Sequence, residues 1–157
     1  MNRKFLWRYC LGLILIPFAL NSFGQQKTAQ ITDKPGVSEK LETVFKKTYK
    51  DAENPSWYNL DKNYLVSFTQ NRQKSNVLYQ KNGTRIYHIS YGTEENLPQA
   101  VRNLVKSKYF DFNIKTTINV NQHNRNIWFV YVEDAKNINL VRVEDQNLQV
   151  VDHSRKS

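Results

Sequence analysis

Cysteine is almost missing from this 157-residue chain: Cys10 is the only one. No intramolecular disulfide can form, so a small disulfide-stapled scaffold is excluded, and so is a thiolate zinc site. Glycine is scarce, at five residues, which leaves little room for phosphate-cradling loops. No G-x-S-x-G, G-x-G-x-x-G or Walker pattern occurs. Acidic residues are outnumbered, 14 against 23 Lys and Arg, for a formal charge of +9. Aromatic residues, in contrast, are plentiful at 13%, with nine Tyr, eight Phe and three Trp. A disordered chain would lack that apolar content, because it cannot offset the entropy of ordering. The length fits one domain or two very small ones. The composition is that of a folded, basic, mixed α/β protein.

The amino terminus reads as an address. Arg3, Lys4 and Arg8 precede an apolar run over residues 11–20, followed by Asn21-Ser22-Phe23-Gly24. This is the charged, apolar and small-residue order of a secretory signal peptide, with cleavage expected near Gly24. Ten apolar residues are about half of what a membrane span needs. Cys10 precedes the apolar run, which does not fit a lipoprotein cleavage site. Loss of residues 1–24 would remove three basic residues and Cys10, leaving 20 basic against 14 acidic residues, +6, and no thiol.

Residues 25–36 are polar, end in Pro35-Gly36 and read as a flexible leader. Val37, Leu41, Val44, Phe45 and Tyr49 then recur at helical spacing, with Ser38 as N-cap and Glu39 and Glu42 in the first turn. Asn54-Pro55 breaks the pattern. Residues 64–69, 76–80 and 85–91 alternate as strands, with Asn82-Gly83 a hairpin signal between the last two. Pro98 suits a helix start, and Val101, Leu104, Val105 and Tyr109 give a second amphipathic helix. Residues 127–132, 138–144 and 148–151 read as strands, and 115–120 is a further candidate. A shift of 64 residues without gaps pairs Leu41 with Val105, Phe45 with Tyr109, Val66 with Val130, Val77 with Val141 and Tyr79 with Val143. Asn82-Gly83 then falls on Gln146-Asn147. One ungapped register across helix, strands and turn points to an internal duplication.

Leu97-Pro98-Gln-Ala-Val101, Trp128-Phe-Val-Tyr-Val132 and Leu140-Val-Arg-Val143, with Phe45-Lys-Lys-Thr-Tyr49, Pro55-Ser-Trp57 and Tyr64-Leu-Val-Ser-Phe68, carry a resemblance. The chain resembles, over roughly residues 37–153, the exported PepSY-like family whose fold is similar to β-lactamase inhibitor protein. The resemblance implies tandem units with helices on one face of an antiparallel sheet, and a periplasmic or secreted protein that is not an enzyme. No motif here carries β-lactamase inhibition with it.

The expected class is therefore α+β: two tandem αβββ-type units, helices packed on one face of an antiparallel sheet. Residues 1–24 would be the signal peptide, 25–36 the leader, and 37–153 one domain of repeats 37–91 and 97–153. His88, His123 and His153 have no ligand spacing between them. Glu94-Glu95, Glu133-Asp134 and Glu144-Asp145 are adjacent turn acids rather than an enclosed acid and base. No catalytic residue, metal ligand or cofactor is assigned.

Alternation puts Tyr64, Val66, Phe68, Trp128, Val130 and Val132 on the helix-covered face. Leu65, Ser67, Leu78, Tyr87, Ile89, Phe129, Tyr131 and Arg142 then share the other face, which a one-sided sheet would keep polar. Aromatics beside an arginine are enriched at interfaces. Leu65, Leu78, Tyr87, Phe129, Tyr131 and Arg142 are the expected partner-binding residues, the partner being another exported or envelope protein. A homodimer covering this face is one alternative. Another is a basic envelope protein that holds anionic glycan, peptidoglycan or lipid headgroups on its helix faces. Export argues against nucleic acid.

Overall fold

The computed structural model describes residues 36–156. The signal peptide read over residues 1–24 lies outside the described residues, as does the leader apart from Gly36.

Helix α1 (Glu39–Thr48) starts where Ser38 holds extended backbone and its Oγ accepts the Leu41 amide at 3.3 Å. Acids fill its first turn and Lys46 and Lys47 its last, matching the helix dipole. Its apolar stripe, Leu41 and Phe45, continues into the C-cap Tyr49. Four strands follow: β1 (Glu53–Leu60), β2 (Asn63–Gln70), β3 (Gln73–Gln80) and β4 (Arg85–Gly92). A 3-10 turn (Glu94–Asn96) and helix α2 (Gln99–Lys108), capped by Tyr109, lead into β5 (Asn113–Gln122), β6 (Arg125–Glu133), β7 (Asn137–Glu144) and β8 (Asn147–Arg155). All eight strands form one antiparallel sheet in chain order.

The expected α+β class of two tandem αβββ-type units is thus corrected: each half is one short helix followed by four strands. Among the described residues the chain is predominantly one eight-stranded antiparallel sheet, with helix in two ten-residue segments and a single 3-10 turn. The two strands that complete the sheet carry weak signals for physical reasons. Strand β1 is an edge: Asn54 has φ 50°, Pro55 lacks an amide, and the pairing with β2 slips between Glu53 and Ser56. Strand β5 has a bulge at Lys115, so buried Ile114 and buried Thr117 are three apart and the period of two is lost.

The halves correspond, but not in one register. Tyr49 N–H donates to Phe45 O and Ala52 N–H to Tyr49 O; Tyr109 N–H donates to Val105 O and Phe112 N–H to Tyr109 O. Helices and first strands therefore match at a shift of 60. The buried pairs Val66 and Val130, and Val77 and Val141, keep the shift of 64. The β5–β6 hairpin accounts for the difference. Below the Thr117–Val130 pair its ladder runs to Gln122–Arg125, whereas below Trp57–Val66 the first hairpin ends at Leu60–Asn63. The helix pairing thus moves by one turn: Phe45 corresponds to Val105, and Tyr49 to Tyr109.

Two apolar clusters lie on one side of the sheet. Leu41, Phe45 and Tyr49 join Tyr64, Val66, Phe68, Val77 and Tyr79. Leu97, Val105 and Tyr109 join Ile114, Val130, Val132, Val141 and Val143. Between them, at the β4–β5 junction, the same side carries His88, Ser90, Asn119 and Asn121.

Candidate functional site

Cross-strand register decides which side chains share the opposite side. Tyr58 pairs with Leu65, Leu65 with Leu78, Leu78 with Tyr87, and Tyr87 with Gln122. The next rung runs Ser67, Asn76, Ile89, Val120 and Ile127. The next runs Tyr91, Ile118, Phe129, Arg142 and Gln149, and the last pairs Thr116, Tyr131, Leu140 and Asp152. Apolar residues occupy the first rung in β1–β4, the second in β4–β6, the third in β4–β6 and the fourth in β6–β7. They form an oblique band across the twisted sheet, on the side away from both helices.

Of the sequence-predicted residues, Leu65, Leu78 and Tyr87 stand directly opposite one another. Phe129 faces Arg142 two rungs away, and Tyr131 lies one rung further, opposite Leu140. All six share a face but make two groups. Ile89, Tyr91, Ile118, Val120 and Ile127 link them. Tyr91 and Tyr131 are each 37% exposed, whereas Ile127, outside both helix-side clusters, is only 8% exposed. Tyr91 was legible from its alternation with Tyr87 and Ile89. Ile118 and Val120 needed β5 to be read as a strand, and Tyr58 needed β1.

Charge on this face is tied down. Arg125 makes a two-pronged contact with Glu144, Nε to Oε1 at 2.7 Å and Nη2 to Oε2 at 2.9 Å, and Arg142 Nη2 donates to the same carboxylate. Arg142 therefore flanks Phe129 as a fixed guanidinium. Burial, then the neighbouring Tyr91, pushes the Tyr87 phenol above its ordinary value, so it stays protonated. Of the adjacent acids, Glu133 and Asp134 are stabilised as anions. A hydrogen bond from Lys156 comes first in holding Glu133 below the usual carboxylate range, and the Lys136 amide does the same for Asp134. Neither is tuned to donate a proton near neutral pH. Among the described residues no three His, Cys, Asp or Glu side chains gather as a metal site would require.

An antiparallel meander with both helices on one side and an apolar band on the other defines the class of molecule. The fold is BLIP-like. A BLIP-like protein from Bacteroides fragilis matches with a TM-score of 0.59 at 16% identity, over 78% of this chain and 89% of that one. A DUF2874 family protein from Bacteroides ovatus matches at 0.57 and 19%, over 79% and 89%. A Bacteroides eggerthii protein provisionally described as periplasmic matches at 0.56 and 15%, over 76% and 88%. No protein family and no curated protein is matched by the sequence. Identities this low establish the fold alone, and they do not single out the PepSY-like family within it. Among the described residues no helix is long and apolar enough to cross a membrane.

Proposed function

We propose that the protein is an exported, non-catalytic binding module that meets another exported or envelope protein through the oblique apolar band. The observation that carries this reading is the continuous row of aromatic and aliphatic residues on the face without helices, where an antiparallel sheet exposed to water is ordinarily polar. Export follows from the signal peptide read over residues 1–24, with cleavage near Gly24, and accords with the periplasmic description of one structural neighbour. The stretch 37–153 is read as one domain that arose by duplication. Its relation to the PepSY-like family rests on the motifs quoted above.

The test is affinity capture from the envelope fraction of the source cell, with a Phe129→Ser/Tyr131→Ser variant beside the native protein. The variant must first give a native far-UV spectrum. A specific protein retained at 0.5 M salt (about a 4 Å screening length) and lost with the variant is the expected result. Equal capture by both proteins that is washed away by salt would overturn it, in favour of anionic polymer or lipid headgroups on the basic helix faces. Loss of a native dimer in the variant would identify a second copy as the cover.

A further inference from the structure

On the helix side, α1 and β1 enclose a pocket of about 340 Å³. Buried Phe45 and Tyr49 and half-buried Trp57 line it, together with exposed Lys46 and Lys50 and one carboxylate, Glu42. The second half of the chain has its own answer to the same place. At the shift of 60, Ala52 corresponds to Phe112 and Asn54 to Ile114. The Phe112 ring packs edge-on against Tyr109 at 5.2 Å and 75°, and its backbone carbonyl accepts from Lys106 Nζ at 2.8 Å. Ile114 is 8% exposed within the same cluster. In the first half both apolar plugs are gone. Tyr49 keeps the position of Tyr109, and Lys46 keeps that of Lys106. Phe45 and Trp57 replace the smaller Val105 and Thr117, yet the pocket remains. Among the described residues Lys46, 75% exposed, is held by Glu42 alone at 3.6 Å, a contact weak enough to exchange.

We propose that this pocket receives an aromatic side chain from a partner polypeptide that carries a carboxylate beside it. The ring takes the place of Phe112 against Tyr49, and Lys46 and Lys50 take the anion as Lys106 takes the Phe112 carbonyl. The site is on the opposite side of the sheet from the apolar band and is independent of it.

N-acetyl-L-phenylalanine is the probe, titrated into ¹⁵N-labelled protein. Saturable shifts at the Trp57 indole N–H and the Tyr49, Lys50 and Ala52 amides are expected, with a Kd of about 1 mM for so small a ligand. The neutral amide of the same compound should bind at least about threefold more weakly, because the lysines lose their anion. Ala52→Phe, which installs the residue the other half tolerates, should abolish the shifts while leaving the open-face amides in place. Lys46→Ala/Lys50→Ala, which leaves the aromatic part of the lining intact, should remove the preference for the carboxylate. Phe129→Ser/Tyr131→Ser should bind the probe as the native protein does. Absence of saturable shifts up to about 20 mM, unchanged binding in Ala52→Phe, or shifts confined to Tyr87 and Phe129 would each overturn the proposal.

Discussion

His88 occupies a place where most sheets would put an aliphatic residue. It pairs with Val77 across the ladder, meets Tyr49 edge-on at 5.3 Å and lies nearly parallel to Phe68 at 6.3 Å. Its Nε2 is buried without a partner among the described residues. Burial, then the Arg85 guanidinium, pushes its pKa down to about 4 from the ordinary histidine value of 6.5. The unfolded chain therefore binds more protons than the folded one between those values. The stability this imidazole contributes is fully present above pH 6.5 and is lost as the pH falls towards 4. Native protein should lose on the order of 1–2 kcal/mol over that window from this group, after allowance for partial exposure. His88→Phe keeps the ring and removes the titration, so its melting temperature should fall less between pH 7 and pH 4.5. Parallel melting curves for the two proteins across this range would refute the assignment. In sequence His88 is one of three isolated histidines; only the ladder sets it against Phe68 and Tyr49.

At the level of elements, alternation was readable in five of the six strands that have neighbours on both sides, and the bulge in β5 hides it in the sixth. Residues 64–69, 76–80, 85–91, 127–132 and 138–144 fall inside β2, β3, β4, β6 and β7. The turns were less legible. Asn82-Gly83 is the conventional signal, but only Gly83 takes positive φ, at 93°, while Asn82 Oδ1 accepts the Thr84 amide. Three of the tight two-residue turns, Asn71-Arg72, His123-Asn124 and Asp145-Gln146, have both φ values positive and no glycine. The last hairpin turns one residue earlier than Gln146-Asn147. Left-handed backbone at Arg72, φ 61°, costs energy that glycine would not. Arg72→Gly should therefore raise stability by about 0.5–1 kcal/mol in urea denaturation. A decrease would show that the Arg72 side chain contributes more than its backbone strain. Removal of the Ser38 cap by Ser38→Ala should cost about 1 kcal/mol, read the same way.

Across the whole molecule, the helix side is divided and the open side is not. The two helix-side clusters are separated by the polar rows of β4 and β5, whereas Ile89–Val120 and Tyr91–Ile118 join the halves on the opposite face. The apolar band thus couples the halves as well as offering a surface. Trp57 reports on the first cluster and Trp128 on the second. Native protein should unfold in urea with coincident fluorescence and circular dichroism transitions. Ile118→Ser/Val120→Ser should separate them, with a loss of about 2–4 kcal/mol. Coincident transitions in that variant would mean that backbone pairing between β4 and β5 is sufficient for coupling.

Composition and local pattern alone excluded an intramolecular disulfide and a thiolate zinc site, marked the two helix stripes and assigned the faces of five strands, because side-chain period and capping are properties of neighbouring residues. Local pattern could not supply β1, an edge strand that buries one face poorly, and it marked β5 only as the candidate 115–120, because a bulge erases the period of two there. Nor could it supply the one-turn shift between halves, the linkage of six predicted residues into an oblique band, or the vacancy left by Ala52. Those depend on which residues stand opposite one another across hydrogen-bonded strands, and that register exists only once the sheet has closed its ladder.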